Sequence, residues 1–253
     1  MSSATSHAVL ERRRAFIRVS GPDAEDYLQR MVSNDVAALA PGDLCDALLL
    51  TAKARIIAPL RILRRASDDF LVLTEPNLGE VVRTQLLRAR FAAKAEIEPE
   101  QHRSWLVLGG GEVLDERPAG DDASEEEFER WRIESRLPRW GRELDERVLP
   151  AEAGLEETHI SFSKGCYPGQ EPIARQHYRG KVNRRLRVLD TEGDVGPGDE
   201  LLLDDKTVGR ITSAVDGVAL GYVRTEVPDS ARLEIAAKAG FARLRSQAPE
   251  DSD

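Results

Sequence analysis

Short apolar segments separated by turns fill the chain from residue 186 onward, and this rhythm constrains the fold more than any other feature of the sequence. The segments are 186–190, 200–203, 207–214, 218–224 and 232–236. Turn sequences such as Gly196-Pro197-Gly198 and Asp216-Gly217 lie between them. Strands of this length and spacing are typical of a small antiparallel barrel. We therefore predict a C-terminal β-barrel over 186–246, followed by a frayed tail over 247–253.

The first part of the chain mixes strand patterns with helix patterns. Residues 15–20 alternate like a strand, and Gly21-Pro22-Asp23 then begins a helix whose apolar residues recur every three or four positions. Further strand patterns occupy 44–50, 55–63, 70–74, 95–98 and 105–108, and further helix patterns occupy 78–89 and 127–137. The acidic stretch 115–127 is rich in turn residues and is predicted to be a surface loop. This order predicts an α+β region over 1–185.

Composition and charge narrow the class of protein. The chain has 253 residues, of which 41% are hydrophobic, so it can bury a core. Its formal net charge is −9, which argues against a face that coats nucleic acid, because phosphate binding needs positive charge. The sequence contains neither an apolar run of about 20 residues that could span a membrane nor a secretory signal. Two cysteines, Cys45 and Cys166, suit a reducing compartment, so we expect a cytoplasmic protein without a membrane partner.

The segment around Lys164-Gly165-Cys166 carries the strongest chemical signal. If this segment is extended, Lys164 and Cys166 lie on the same side, and a nearby cation stabilises a thiolate. Tyr167-Pro168-Gly169-Gln170 fits a type II turn, and Glu171-Pro172 fits the start of a helix. We therefore predict a reactive thiol at Cys166 with Lys164 beside it. The alternative is that Cys166 is a small buried apolar residue.

A run without acidic residues follows between Arg175 and Arg187. It holds five arginines, one lysine and His177. On an acidic chain such a run predicts either a solvated strand face or a local anion site, for a dicarboxylate, a phosphate or an RNA backbone. His159 and His177 flank Cys166 at spacings that match no zinc pattern, so no metal site is predicted. The chain also lacks a Walker A motif and the G-x-G-x-x-G spacing of dinucleotide sites.

Residues 164–187, KGCYPGQEPIARQHYRGKVNRRLR, resemble the motif K-G-C-[YF]-x-G-Q-E of the YgfZ family. This family comprises folate-binding relatives of the glycine cleavage T-protein, an aminomethyltransferase. Upstream, GPDAEDYLQRMVSNDV resembles the first helix and Ser-Asn-Asp-Val corner of the family, and LLLTAKARIIAPL resembles its following hairpin. WRIESRLPRWGRELDERVLPAEAGL, VGRITSA and ALGYVR are also similar to family segments. The resemblance covers nearly the whole chain.

The resemblance implies an aminomethyltransferase-like, multi-lobed fold around a central folate-binding hole. It implies binding of tetrahydrofolate or a one-carbon-substituted folate, and a role in assembly or repair of iron–sulfur proteins, with an indirect effect on tRNA modification. Cys166 and Lys164 are then the catalytic pair, and Glu134 accepts the flat donor pair of the pterin as a carboxylate accepts an arginine fork. The other folate contacts that we predict are Arg132, Asn34, Tyr167, Gln170, Glu171 and Arg175. Expected partners are a reduced folate and iron–sulfur client or assembly proteins; direct nucleic-acid binding is not expected.

The chain also departs from the family pattern. Pro59 stands where relatives often carry an acidic residue, Ala54 stands where glycine is common, and the stretch between 109 and 127 is short. Residues 71–80 contain no aspartate that could match the catalytic carboxylate of an aminomethyltransferase. This argues against glycine cleavage activity and leaves open whether the protein is an enzyme. The alternatives are a folate-dependent methyl or aminomethyl transferase, an RNA- or protein-binding module through 175–187, and a redox sensor at Cys166.

Overall fold

The computed structural model describes residues 7–245, and these form two compact units. The first unit contains the chain up to Ala123, with Asp145–Pro150 and Leu155–Gly180. The second contains Ser124–Leu144, Ala151–Gly154 and the chain from Lys181 onward. The predicted division into 1–185 and 186–246 differs from this grouping, because two earlier segments cluster with the C-terminal part. The predicted tail over 247–253 lies outside the described residues.

Fifteen strands and six helices are described. The strands are β1 (Ala8–Glu11), β2 (Ala15–Ser20), β3 (Leu44–Leu50), β4 (Ile56–Ala66), β5 (Asp69–Thr74), β6 (Glu96–Glu100), β7 (Ser104–Val107), β8 (Glu112–Leu114), β9 (Asp121–Asp122), β10 (Arg184–Gly193), β11 (Glu200–Leu203), β12 (Lys206–Val215), β13 (Val218–Arg224), β14 (Arg232–Ile235) and β15 (Gly240–Leu244). The helices are α1 (Ala24–Met31), α2 (Gly79–Ala89), α3 (Glu125–Glu134), α4 (Pro150–Ala153), α5 (Glu156–His159) and α6 (Gln170–Arg179), and a 3-10 turn, Pro76–Leu78, precedes α2. In this part of the chain no helix has the length and apolar character needed to cross a membrane.

An antiparallel sheet in the order β3-β4-β5-β2-β6 forms the core of the first unit. Its strands confirm the segments predicted from alternation: β2, for example, buries Phe16, Ile17 and Val19 and exposes Arg18. The predicted helices are also present, since α1 buries the predicted stripe against this sheet. The chain leaves α1 at Val32 and enters β3 at Leu44, and the corner between them shapes the candidate site described below.

A second sheet of the first unit has the order β8-β7-β1-β9. The loop prediction over 115–127 is wrong in part, because β9 lies within it and pairs in parallel with β1. Helix α3 also begins inside this range, where the Ser124 hydroxyl accepts from the backbone N–H of Glu127 and the Glu127 carboxylate accepts from the backbone N–H of Ser124. This capping box fixes the helix start. Its Ser-x-x-Glu spacing was present in the sequence, within the run of acids that we interpreted as solvated.

The second unit contains a closed antiparallel barrel in the strand order β10-β13-β12-β11-β14-β15. The five strands predicted from the sequence are confirmed. The sixth, β15, was not predicted, and it closes the barrel by pairing with β10 and β14. The barrel core is aliphatic and includes Leu189, Leu201, Ile211, Val223, Leu233 and Ala242. The predicted combination of an α+β fold with a small C-terminal barrel is therefore confirmed.

Candidate functional site

Lys164 is the buried anchor of the loop that carries Cys166. It is only 8% exposed, and its ammonium donates to the carbonyl oxygens of Val32 and Asn34, both at 2.7 Å. The ammonium also lies 5.3 Å from the ring centroid of Tyr167, within cation–π range. Because Val32 and Asn34 follow α1 directly, Lys164 fastens the cysteine loop to the corner at the end of that helix.

Cys166 lies in a different environment from Lys164. Its residue is exposed, and no atom lies within 4 Å of the point where a side chain at Gly165 would begin. The chain bends at residues 162–164 instead of running extended. The prediction that Lys164 and Cys166 share one face is therefore wrong, because it assumed strand geometry: Lys164 is buried and Cys166 is exposed. The alternative that Cys166 is a buried apolar residue is also excluded.

The turn after Cys166 has the predicted type II geometry. Gly169 has φ +86° and ψ 0°, close to the values of about +80° and 0° at the third position of such a turn. A Cβ at Gly169 would lie 2.6 Å from the carbonyl oxygen of Thr51, so that only glycine fits there. Helix α6 begins at the next residue. The turn thus places Cys166 four residues before the N-terminal end of α6.

Asn34, a predicted folate contact, holds the corner after α1 together. Its side-chain amide donates to the carbonyl oxygens of Asp46 and Thr158, at 2.7 and 3.1 Å, and its side-chain oxygen accepts from the backbone N–H of Asp35 at 2.9 Å. Its backbone carbonyl accepts from Lys164. These partners give Asn34 a structural role under the cysteine loop, and a folate contact by its amide would have to displace them.

Burial sets the protonation behaviour around Lys164. Burial lowers the pKa of Lys164 to about 8, although Asp35 and Cys45 attract the charge. Burial raises the pKa of Cys45 to about 11, with Asp46 acting in the same direction. Burial also raises the pKa of Tyr167 to about 12, and the Tyr167 hydroxyl has no hydrogen-bond partner among the described residues. The raised pKa disfavours the thiolate of Cys45, whereas Cys166 is exposed to solvent.

Glu134, the predicted pterin ligand, is an exposed carboxylate at the last residue of α3 in the second unit. Its nearest charged partner is Arg245, with a Nη1–Oε1 distance of 3.8 Å. Arg245 is bound more closely to Asp190, at 2.6 Å. Glu134 therefore keeps its carboxylate available to a ligand. Because Glu134 and Cys166 belong to different units, their common place in one folate-binding hole stays a prediction.

Arg132 lies two residues before Glu134 and is 3% exposed. Its guanidinium makes five hydrogen bonds: to both carboxylate oxygens of Glu129 (3.1 and 2.7 Å), to the Leu137 carbonyl (2.8 Å), to Glu143 (2.9 Å) and to the Ser213 hydroxyl (2.7 Å). A guanidinium has five N–H donors, so all are used. The prediction that Arg132 contacts folate conflicts with this saturation, which indicates a structural role.

Gln170, Glu171 and Arg175, also predicted as folate contacts, lie on α6. Arg175 pairs with Glu171 at 2.9 Å on the exposed side of the helix. Other cations of the run 175–187 are also paired, Arg184 with Glu152 at 3.0 Å and Arg187 with Asp229 at 2.7 Å. The acidic partners Glu171, Glu152 and Asp229 thus lie outside a run that itself contains no acid. Contact between these residues and folate stays a prediction.

Two residues of the Arg132 cluster were missed by sequence reasoning. Glu143 is completely buried and accepts from Arg132, from the backbone N–H of Arg139 and from the Ser213 hydroxyl. Ser213 is 1% exposed on β12. A single signal could have indicated Glu143, namely its place in the family-like stretch GRELD. Ser213 likewise lies in the family-like stretch VGRITSA, but its separation of 81 positions from Arg132 conceals the contact between the two residues.

The chain is similar to known proteins both in sequence and in structure. The family model for the CAF17 C-terminal beta-barrel domain matches residues 183–250. The structure is similar to the crystal structure of glycine cleavage system aminomethyltransferase T from Bartonella henselae, with a TM-score of 0.83 and 16% identity over 96% of this chain and 86% of that chain. The fold is therefore aminomethyltransferase-like, with a CAF17-type barrel at its C-terminal end.

Sequence relatives refine that class. The tRNA-modifying protein YgfZ of Edwardsiella ictaluri is 29% identical over 221 residues, covering 67% of this chain and 66% of that protein. The human mitochondrial iron–sulfur cluster assembly factor IBA57 is 25% identical over 270 residues, covering 84% of this chain and 76% of that protein. The match thus spans just under two thirds of the YgfZ protein. The predicted resemblance to YgfZ-type relatives of the aminomethyltransferases is confirmed.

Proposed function

We propose that this protein is a tetrahydrofolate-binding accessory factor in the assembly or repair of iron–sulfur proteins, with an indirect effect on tRNA modification. The observation that carries the proposal is the exposed thiol of Cys166 on a loop that a buried lysine anchors. A thiolate is the protein ligand that iron–sulfur clusters use most. Relatives named as an iron–sulfur assembly factor and as a tRNA-modifying protein support the same role.

One side chain, that of Glu134, fits the pterin ring of a folate. The exposed carboxylate of Glu134 has only a distant partner, so it can accept the paired N–H groups of a pterin. Arg132 and Asn34 are committed to internal partners, and we assign them to the support of this site rather than to ligand contact. When bound, the folate would supply a one-carbon unit or a reduced pterin ring.

Within this proposal, Lys164 acts by positioning Cys166. Its ammonium is buried and donates to two carbonyl oxygens, so we assign it no contact with a bound molecule. The part of the chain that the structure describes contains no group of three or more His, Cys, Asp or Glu side chains arranged to hold a metal ion. A cluster handled at Cys166 is therefore proposed as cargo shared with a partner protein.

Folate binding is tested by isothermal titration calorimetry with tetrahydrofolate. The wild type binds, and Glu134→Gln weakens binding by about ten- to a hundredfold, as expected for loss of a charge-assisted pair. The matched control is Glu126→Gln, an exposed acid on the same helix, which leaves affinity unchanged. Equal affinity of wild type and Glu134→Gln would remove Glu134 from the site.

The role of Cys166 is tested by complementation of a strain that lacks its own YgfZ-type protein, with activity of iron–sulfur enzymes as the readout. Cys166→Ser abolishes complementation, whereas Cys45→Ser retains it because the Cys45 thiol is partly buried and unreactive. Full complementation by Cys166→Ser contradicts the proposal. Multiple turnovers in a one-carbon transfer assay would instead favour the alternative of a folate-dependent transferase.

A further inference from the structure

Helix α3 ends at Glu134, and its last turn is closed by a motif that depends on Arg132. The backbone N–H of Arg136 donates to the carbonyl of Ile133 at 3.0 Å, and that of Leu137 donates to the carbonyl of Arg132 at 2.9 Å. Arg136 has φ +52°, in the left-handed region. These features form a Schellman motif. It stands here without the glycine that usually occupies the left-handed position, so the helix end needs support from elsewhere.

The Arg132 side chain provides that support. Its Nη1 donates to the carbonyl of Leu137, so the backbone and the side chain of Arg132 bind both polar groups of the same residue. The guanidinium also reaches Ser213 on β12, which ties the last turn of α3 to the barrel within the second unit. A helix terminus without such partners frays readily.

Glu143 completes the support from the connection that follows α3. Its Oε2 accepts from Arg132 and from the backbone N–H of Arg139, its Oε1 accepts from Ser213, and its backbone carbonyl accepts from the hydroxyl of Tyr222. The charge of Arg132 is thus balanced by Glu143 and Glu129 in a buried setting. Every donor of the cluster has its acceptor, which favours one arrangement over others.

The geometry of the helix relates the direction of the Glu134 side chain to that of Arg132. Residues two apart on a helix are separated by about 200° around its axis. Since Arg132 faces Ser213 on β12, Glu134 points to the opposite side of the helix, where it is exposed and lies 3.8 Å from Arg245. We propose that Arg132, with Glu143 and Ser213, is a positioning residue that sets the direction of the Glu134 carboxylate for folate binding. This inference rests on the proposed function.

A double-mutant cycle tests the inference. Arg132→Lys keeps the charge but loses most of the five bonds, and we expect it to weaken tetrahydrofolate binding by about tenfold in the wild-type background and by less than about twofold in the Glu134→Gln background. Its effect on the melting temperature is the same in both backgrounds. A residue with a merely structural role would not couple to Glu134 in this way. Equal weakening in both backgrounds overturns the inference and leaves the proposed function intact.

Two further variants keep the test decisive. Ser213→Ala removes a single hydroxyl and is used in the same cycle if Arg132→Lys does not fold; it should show the same coupling with a smaller change. Arg130→Lys is the matched control, because Arg130 also ties α3 to the barrel of the same unit, through one bond of 2.8 Å to the carbonyl of Asp216 in the turn between β12 and β13. It should change affinity by less than about twofold. If Glu134→Gln itself binds tetrahydrofolate like the wild type, Glu134 is not in the site and this inference fails, whereas folate binding as proposed fails only if the wild type does not bind.

Discussion

Lys164 and Arg132 are buried cations in different units, and each lies two residues before a candidate functional residue. Arg132 is held by five hydrogen bonds, three of them to carboxylates. Lys164 is held by two backbone carbonyls and an aromatic ring, with no carboxylate in hydrogen-bonding contact. The difference teaches that two kinds of anchor serve two kinds of segment. The end of helix α3 is fixed by a network of charged side chains around Arg132, whereas the exposed loop of Cys166 is fixed by the single ammonium of Lys164.

We expect the largest loss of folding stability when the Arg132 cluster loses one of its carboxylates. Glu143→Ala leaves the buried charge of Arg132 without one of its two carboxylates, and the free energy of unfolding should fall by about 3–5 kcal/mol. Urea denaturation measures the change. The control is Glu226→Ala, which breaks the exposed pair with Arg224 in the same unit and should cost less than about 1 kcal/mol. Equal costs for the two variants would contradict the assigned role of Glu143.

The burial of Lys164 should affect how the free energy of unfolding depends on pH. Its pKa is about 8 in the folded chain against an ordinary value of 10.5, so between these values the unfolded chain binds the extra proton and stability rises with pH. The free energy of unfolding of the wild type, relative to Lys164→Met, should therefore rise by up to about 3 kcal/mol across this window. Urea denaturation at several pH values measures it, with the exposed Lys53→Met as control. A difference that stays flat with pH would contradict the buried ammonium.

The different exposure of the two cysteines also predicts different reactivity. Cys166 is exposed, whereas Cys45 is partly buried with its pKa raised to about 11. Iodoacetamide at neutral pH should therefore label Cys166 at least roughly tenfold faster than Cys45. Mass spectrometry of the digested protein gives both rates, and labelling in concentrated guanidinium chloride should make them similar. Faster labelling of Cys45 in the native protein would show that the loop is not placed as described.

Two tyrosines give the smallest and most closely matched test. The Tyr222 hydroxyl donates to the carbonyl of Glu143 at 2.9 Å, whereas the Tyr167 hydroxyl is buried without a hydrogen-bond partner in the described residues. Tyr222→Phe should lower the free energy of unfolding by about 1 kcal/mol, and Tyr167→Phe should leave it unchanged or raise it by up to about 1 kcal/mol. Chemical denaturation of both variants measures the contrast. A larger loss for Tyr167→Phe would reveal a partner for its hydroxyl.

Local patterns explain which features could be predicted from the sequence. The turn at Gly169 and the helix at Ala24 depend on residues within a few positions, and both are found where the sequence indicated them. The same holds for the five predicted barrel strands. The strand Gly240–Leu244 escaped because two of its five residues are small and its pairing partners lie far along the chain.

The candidate site depended on contacts that no local pattern contains. Lys164 reaches carbonyl groups more than 100 positions earlier, so its direction could not follow from assumed strand geometry. Arg132 was predicted as a folate contact, and its partners in the structure include Ser213 at a separation of 81 positions. Glu134 was selected by family resemblance, and Cys166 by its Lys-Gly-Cys context as well as by the resemblance. Both residues have the exposure that a ligand-binding role requires.

Pairing between the first and last barrel strands has a consequence for any shortened form of this chain. Strand β10 pairs with β15 along residues 189–193 and 240–244, so the barrel is closed and has no unpaired edge strand. A chain truncated before Gly240 would expose two unpaired strand edges, one on β10 and one on β14. Such edges recruit strands from other molecules, so loss of the segment from Gly240 onward would turn a self-contained module into a seed for aggregation.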